Sequence, residues 1–381
     1  MRHLTFACLL FAVARLAAAA TDGDWTVRVT PFAQVFPALE LSQARRHAAT
    51  APTDHVLGDG TGLIAVGLRA QHAGERVVLR VAAPGLASGA AYGATLAQAG
   101  ARYELHPPLD WDTARLVAQT QAQRATLEFT LERDGSTVDT RQVEVMLRPL
   151  DEALYYVRDG ADSVDLSWIF AAYVDEDGAT VDRVLDAALT AGIVERFDGY
   201  AAADDDAVYR QVWAVWQALT AHGIRYSGAD PAIERGPREY SQRVRTLGET
   251  WRDRSANCID GSVLIASVLQ RIGLRSFLVL VPGHAFVGFY TDAEAQRAGF
   301  LETTLLGADL PSPAHLPEFA RGSQGAQSGL ASFTAALAAG RAHHVRVLRK
   351  LDGKHRPDYA VIDISAARAF GIRPIEVDAA D

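Results

Sequence analysis

From Trp25 to about Pro149, apolar and polar positions alternate at the period of a β-strand. Thr26-Val27-Arg28-Val29 alternates, Leu63 to Leu68 is a short apolar run, and Val77 to Val81 follows a charged turn. Leu127, Phe129 and Leu131 alternate with polar residues as far as Asp134-Gly135, and Val143, Val145 and Leu147 resume the pattern beyond it. That arrangement predicts a hairpin. Several short strands with turns between them predict an antiparallel β-sandwich of the immunoglobulin-like kind over residues 21–149.

After Leu150 the period becomes helical. Thr180 is placed to cap a helix carrying Val181, Val184, Leu185, Ala188 and Leu189 and ending at Gly192. A helical linking segment over residues 150–204 is expected, followed by a second domain over residues 205–378. Asp204-Asp205-Asp206 precedes a helix on which Val208, Val212, Val215, Trp216 and Leu219 recur, closed by Gly223. Carboxylates favour the positive end of a helix, so this acidic run reads as a cap rather than a metal loop. Trp213 and Trp216 read as core.

The stretch from Cys258 to Gly273 is apolar on most faces, the pattern of a helix buried inside a domain. Phe277 to Val281 then reads as a strand, Pro282-Gly283 as a turn, Ala285 to Tyr290 as a second strand and Phe300 to Thr304 as a third.

The first residues change the setting of this pattern. Arg2 and His3, an apolar run from Leu4 to Ala14 and the small-residue tail Ala18-Ala19-Ala20 read as an export signal over residues 1–20. The run is short of the ~20 apolar residues that a membrane helix needs. A periplasmic or extracellular protein without membrane insertion is therefore expected. The chain has two cysteines, Cys8 and Cys258, and the first would leave with the signal. Cys258 then has no intramolecular disulfide partner, and is either a small core residue or a reactive group. The formal charge of -9 offers no electrostatic footprint for nucleic acid.

A thiol in the first turn of a helix meets the positive end of the dipole, and both the dipole and the unpaired backbone donors favour the thiolate. A neighbouring histidine can complete the pair and later protonate a leaving group, and a carboxylate can fix its tautomer. Cys258, His284 and Glu302 occur in that order, on elements able to converge if the helix packs on the sheet. Their roles would be nucleophile, general base then acid, and orienter. The Cys258 backbone N–H and the Gln242 side chain are candidate oxyanion donors. Asp260 reads as a capping carboxylate whose charge opposes the thiolate.

Asn-Cys-Ile-Asp at 257–260 before a Leu-rich helix, followed by Pro-Gly-His-Ala-Phe-Val-Gly at 282–288 and an acidic residue, resembles the transglutaminase-like superfamily. The resemblance spans roughly Tyr209 to Val377, and its motifs lie between Asn257 and Thr304. It implies an α+β domain of papain-like arrangement, a central helix against an antiparallel sheet. It further implies a thiol enzyme that cleaves or transfers amide bonds through an acyl-enzyme. The third member is usually aspartate in that superfamily, whereas Glu302 stands here. The substrate implied by location and family is a peptide, a protein or a cell-wall peptide, with the sandwich able to dock a protein partner. Two other classes remain open on the residues: a catalytically silent binding or assembly module of the same fold, and a thiol redox sensor at Cys258.

No cofactor or metal is expected. His47, His55, His72 and His106 are scattered and read as surface or loop residues. His343-His344 precedes the alternating Val345, Val347 and Leu348, and neighbours on a strand point to opposite faces, which disfavours shared ligation. Arg341, Arg346, Arg349 and Lys350 read as a solvated edge.

Overall fold

The computed structural model describes residues 25–43, 54–59, 62–159, 162–228, 238–323 and 328–375. The expected export signal, Cys8 and His47 lie outside the described residues. The chain is multidomain and rich in β-structure, with several sheets and interspersed helices. It divides into two compact units. Among the described residues, one is built from 25–152 together with 157–164, and the other from Ala153–Tyr156 and from Asp165 onward to 375.

In the first unit a four-stranded sheet has the order Trp25–Val29, Ile64–Arg69, Arg102–His106, Val56–Gly58. A six-stranded sheet has the order Gln34–Val35, Ser136–Leu147, Gln123–Arg133, Glu75–Ala83, Ala87–Leu96, Asp110–Trp111. Alternation sends Val27, Val66 and Leu105 from one sheet, and Leu79, Leu127, Phe129 and Leu147 from the other, into a single apolar cluster. Asp134 and Gly135, both at positive φ (47° and 85°), join Gln123–Arg133 to Ser136–Leu147 as a two-residue hairpin loop. Pairing is antiparallel except at two places. Gln34–Val35 runs parallel to Met146–Leu147, and Val56–Gly58 parallel to Arg102–His106, which corrects the expectation of a wholly antiparallel unit. These two strands are only 2 and 3 residues long, too short to leave an alternating signature.

The second unit sets the helix Cys258–Arg271 against an antiparallel sheet of order Ala298–Leu301, His284–Tyr290, Ser276–Val281, Ala360–Asp363. Pro282-Gly283, with Gly283 at φ +70°, turns the chain so that Val281 pairs with His284. Two glycines make room for this packing. A Cβ on Gly288 would sit 2.2 Å from the Phe277 ring. A Cβ on Gly340, in the helix Leu330–Val347, would sit 2.6 Å from the Phe300 carbonyl, so this helix lies directly on the strand backbone. Asp204 caps the helix Asp205–His222 by accepting from the Asp206 N–H, and Gly223 ends it in the left-handed conformation. Trp213 and Trp216 on that helix are 0% exposed.

Four expectations are corrected here. Helical structure does not begin at residue 150: strands Glu152–Asp159 and Asp162–Asp165 come first, and the buried Ala153, Leu154, Tyr156 and Val157 are packed as strand residues. The next α-helix, Ala179–Thr190, is capped at Gly178, and Thr180 is buried inside its first turn. The strand expected over Phe300 to Thr304 stops at Leu301, where Glu302 caps a short 3-10 turn at Thr303–Leu305. His343 to Val347 belong to a helix, since the Ala-rich run from Ala331 has strong helix propensity and outweighs three alternating apolar residues.

Each unit has its own buried core, so the second should fold without the first. A fragment beginning at Leu150 is expected to unfold cooperatively in urea. A non-cooperative transition would show that the first unit completes the second core.

Candidate active site

Cys258 is the first residue of its helix, half-buried and not disulfide-bonded. The helix starts there because Asn257 is a strong cap: its Oδ1 accepts from the Ile259 and Asp260 N–H groups, both at 2.9 Å. Asp260 Oδ2 accepts the Asn257 N–H at 3.0 Å, closing a capping box. Arg245 answers the Asp260 charge, with its guanidinium 3.0 Å from Oδ2 and its backbone N–H donating to Oδ1 at 2.9 Å. The carboxylate expected to oppose a thiolate is therefore paired with a cation. The Cys258 carbonyl accepts from Ser262 Oγ at 2.6 Å and from Thr303 Oγ1 at 3.0 Å. A Cβ on Gly261 would lie 3.1 Å from Thr303 Cβ, so the glycine lets the turn after Glu302 approach the helix start.

His284, the first residue of its strand, places Nε2 2.8 Å from Glu302 Oε2, and the Cys258 thiol lies close enough to act on its charge. With Nε2 on the carboxylate, Nδ1 is the nitrogen left for the thiol. Burial lowers the imidazole's proton affinity, but hydrogen bonds to Cys258 and Glu302 and the charges of both outweigh it and push His284 up to about 9. Glu302 is 3% exposed. Burial raises its carboxyl, yet the hydrogen bond and charge of His284, with donors from Thr304, hold it below the usual range. Those donors are the Thr304 N–H at 3.2 Å and Oγ1 at 2.9 Å, both on Oε1.

The sequence-derived set Cys258, His284 and Glu302 is thus brought together. Gln242 is not drawn into it by any contact of its amide, which donates to the neighbouring Arg243 carbonyl at 3.0 Å. Sequence reasoning missed Arg245, Thr304 and His343. His343 Nδ1 lies 2.8 Å from Glu302 Oε2, the oxygen that His284 already uses. Although this close, the nitrogen is buried with no aligned hydrogen bond. On the helix, His343 and His344 diverge: His344 stacks on Phe300 at 3.9 Å, and burial lowers its pKa. The expectation that strand geometry disfavours shared ligation by this pair came from reading a strand. On the helix one of the two reaches His284 and Glu302, and the three offer ligand atoms within 4.8 Å of one another.

Elsewhere the histidines have local partners. His72 is exposed and pairs with Asp134 at 2.8 Å, and His55 packs on Tyr103 at a ring distance of 5.0 Å. His106 is buried, not at the surface as expected, and bonds Glu104 at 2.9 Å. A cleft in the first unit is lined by Glu40, Asp59, Leu63, Pro107 and Trp111. Burial pushes Glu40 there up to about 7, against a hydrogen bond from Trp111. No cysteine or histidine lines it among the described residues. No helix among the described residues is long and apolar enough to cross a membrane.

Comparison with protein-family models and with curated proteins finds no match for this chain.

Two outcomes follow from these interactions. Asp260→Ala removes one partner of a buried pair together with half of the capping box, and should cost about 3 kcal/mol or more in urea unfolding. His284 titrates at about 9 when folded against an ordinary 6.5, so its contribution to stability is full below pH 6.5 and is lost as pH rises through about 9. Unfolding free energies measured in chelator across that window should fall more steeply for the native sequence than for His284→Gln. Glu302, lowered, acts in the opposite sense, stabilising above the ordinary carboxyl range and losing its effect in acid.

Proposed function

We propose that this chain is an exported thiol enzyme of the transglutaminase-like type, with Cys258 as nucleophile, His284 as general base and then acid, and Glu302 as orienter. The observation that carries this reading is the hydrogen bond from His284 Nε2 to Glu302 Oε2 beside the thiol at the helix start. The sheet behind the helix fits the papain-like arrangement of that superfamily, and the two sheets of the first unit fit an immunoglobulin-like docking module.

In this mechanism His284, raised to about 9 by its partners, already holds the Cys258 proton at neutral pH, and the Sγ thiolate attacks an amide carbonyl carbon. Glu302 stabilises the imidazolium on the far nitrogen. The cap takes the N–H groups of Ile259 and Asp260, and the Cys258 N–H is assigned to the oxyanion. The imidazolium then protonates the leaving amine, which departs as the C–N bond breaks and leaves a thioester on Sγ. Water or a second amine attacks that thioester, giving hydrolysis or transfer. With an export signal over residues 1–20, the amide would belong to a peptide or isopeptide linkage of the cell envelope.

Iodoacetamide labelling at pH 7 tests the thiol pair, because alkylation consumes the thiolate. His284→Ala should slow labelling at Cys258 by about tenfold or more, and Glu302→Gln by less, since a neutral amide still orients the ring. Equal rates in the native chain and His284→Ala would sink the enzyme reading. Recovery of an acyl adduct on Cys258 from envelope extract, identified by mass, would name the substrate.

A further inference from the structure

We propose that His284 Nε2, Glu302 Oε2 and His343 Nδ1 form a binding site for a divalent transition metal of the Zn²⁺ class, and that occupancy switches the thiol off. The second clause rests on the enzyme reading above; the first does not.

The three ligand atoms lie within 4.8 Å of one another. Both imidazole nitrogens approach the same carboxylate oxygen at 2.8 Å. Tetrahedral zinc bonds of about 2.0–2.1 Å set neighbouring ligand atoms roughly 3.3 Å apart. Each imidazole therefore needs to open by only about half an ångström, within the play of a side-chain rotation. The independent observation is His343 Nδ1 itself. It is buried and has no aligned hydrogen bond, although it sits beside a carboxylate that could take one. The approach makes no aligned N–H···O bond, and a buried nitrogen left without a partner costs free energy that a bound cation would recover.

The donor set selects the metal. Two imidazoles and one carboxylate suit zinc and its neighbours, whereas calcium and magnesium require mostly oxygen. Thr304 holds the remaining carboxylate oxygen through its N–H and Oγ1, fixing the ligand from behind. The supporting elements are rigid. His343 is carried on a helix that Gly340 seats on the Phe300 backbone, and the Glu302 N–H donates to the Ala336 carbonyl of that same helix at 3.1 Å.

Cys258 is outside this ligand set, because its thiol is on the other side of the His284 ring. The metal would replace Glu302 as the partner of Nε2. Coordination takes the ring out of its hydrogen bond with Glu302, so the carboxylate no longer holds Nδ1 toward the thiol. The site is thus an inhibitory one that leaves the thiol uncoordinated.

The test uses the full chain freed of metal by a chelator, with Zn²⁺ added in competition with a chromophoric chelator. One equivalent should bind. His343→Ala should weaken binding about tenfold or more, and Cys258→Ser should leave it unchanged. His343→Gln, close in size, repeats the measurement if the alanine variant is unfolded by circular dichroism. The Co²⁺ form should show visible ligand-field bands without a thiolate charge-transfer band. Absence of stoichiometric binding, binding unaffected by either His343 variant, or binding lost in Cys258→Ser would each overturn the site. Zn²⁺ should also slow iodoacetamide labelling of the native chain, and unchanged labelling at saturating Zn²⁺ would overturn the switch. If His284→Ala labels as fast as the native chain, the enzyme reading fails while the Zn²⁺ titration still decides the site.

Discussion

A carboxylate removed from water remains charged only where donors and cations replace the solvent around it. Glu302 meets that condition with three donors, His284 on Oε2 and the N–H and Oγ1 of Thr304 on Oε1, and His343 Nδ1 approaches Oε2 without an aligned hydrogen bond. Its own N–H is taken by the Ala336 carbonyl. The end of the strand Ala298–Leu301, the helix Leu330–Val347 and the start of the strand His284–Tyr290 are all tied to this one residue. Gly340 permits the closest of these approaches, because a side chain there would collide with the Phe300 carbonyl.

The start of the helix Cys258–Arg271 is organised by a second charge balance. Its first turn needs an acidic cap, and the capping box supplies one at Asp260. A negative charge two residues from the thiol would work against any chemistry that develops charge on sulfur. Arg245 removes the conflict by pairing with Asp260 from a segment well before the helix. The same first turn is held to the turn after Glu302 by the Thr303 hydroxyl on the Cys258 carbonyl. Cys258 and Glu302 are thus fixed to one another through adjacent backbone, with His284 beside both.

The first unit solves a different problem. Its two sheets bury one shared apolar cluster, and the buried charges Glu75 and Arg133 are paired with each other. Removing either partner of such a pair leaves an uncompensated charge, so the pair constrains the register between Glu75–Ala83 and Gln123–Arg133. Its histidines are each engaged locally, with Tyr103, Asp134 or Glu104 for those described.

Periodicity alone determined the elements that bury a regular face: the hairpin at Asp134-Gly135, the helices through Trp216 and Leu264, and the hairpin at Pro282-Gly283. It also put Cys258, His284 and Glu302 in order, because a thiol at a capped helix start and a histidine after a turn are local patterns. Short strands such as Gln34–Val35 left no trace, since 2 residues carry no period. Three alternating apolar residues after His344 mimicked a strand, and a helix was formed there because its small residues let it pack on Phe300 and Leu301. Which charge neutralises Asp260, and which second imidazole reaches Glu302, were decided only in three dimensions. Arg245 and His343 lie far along the chain from the cysteine, and electrostatic pairing acts through space, where sequence spacing records nothing of it.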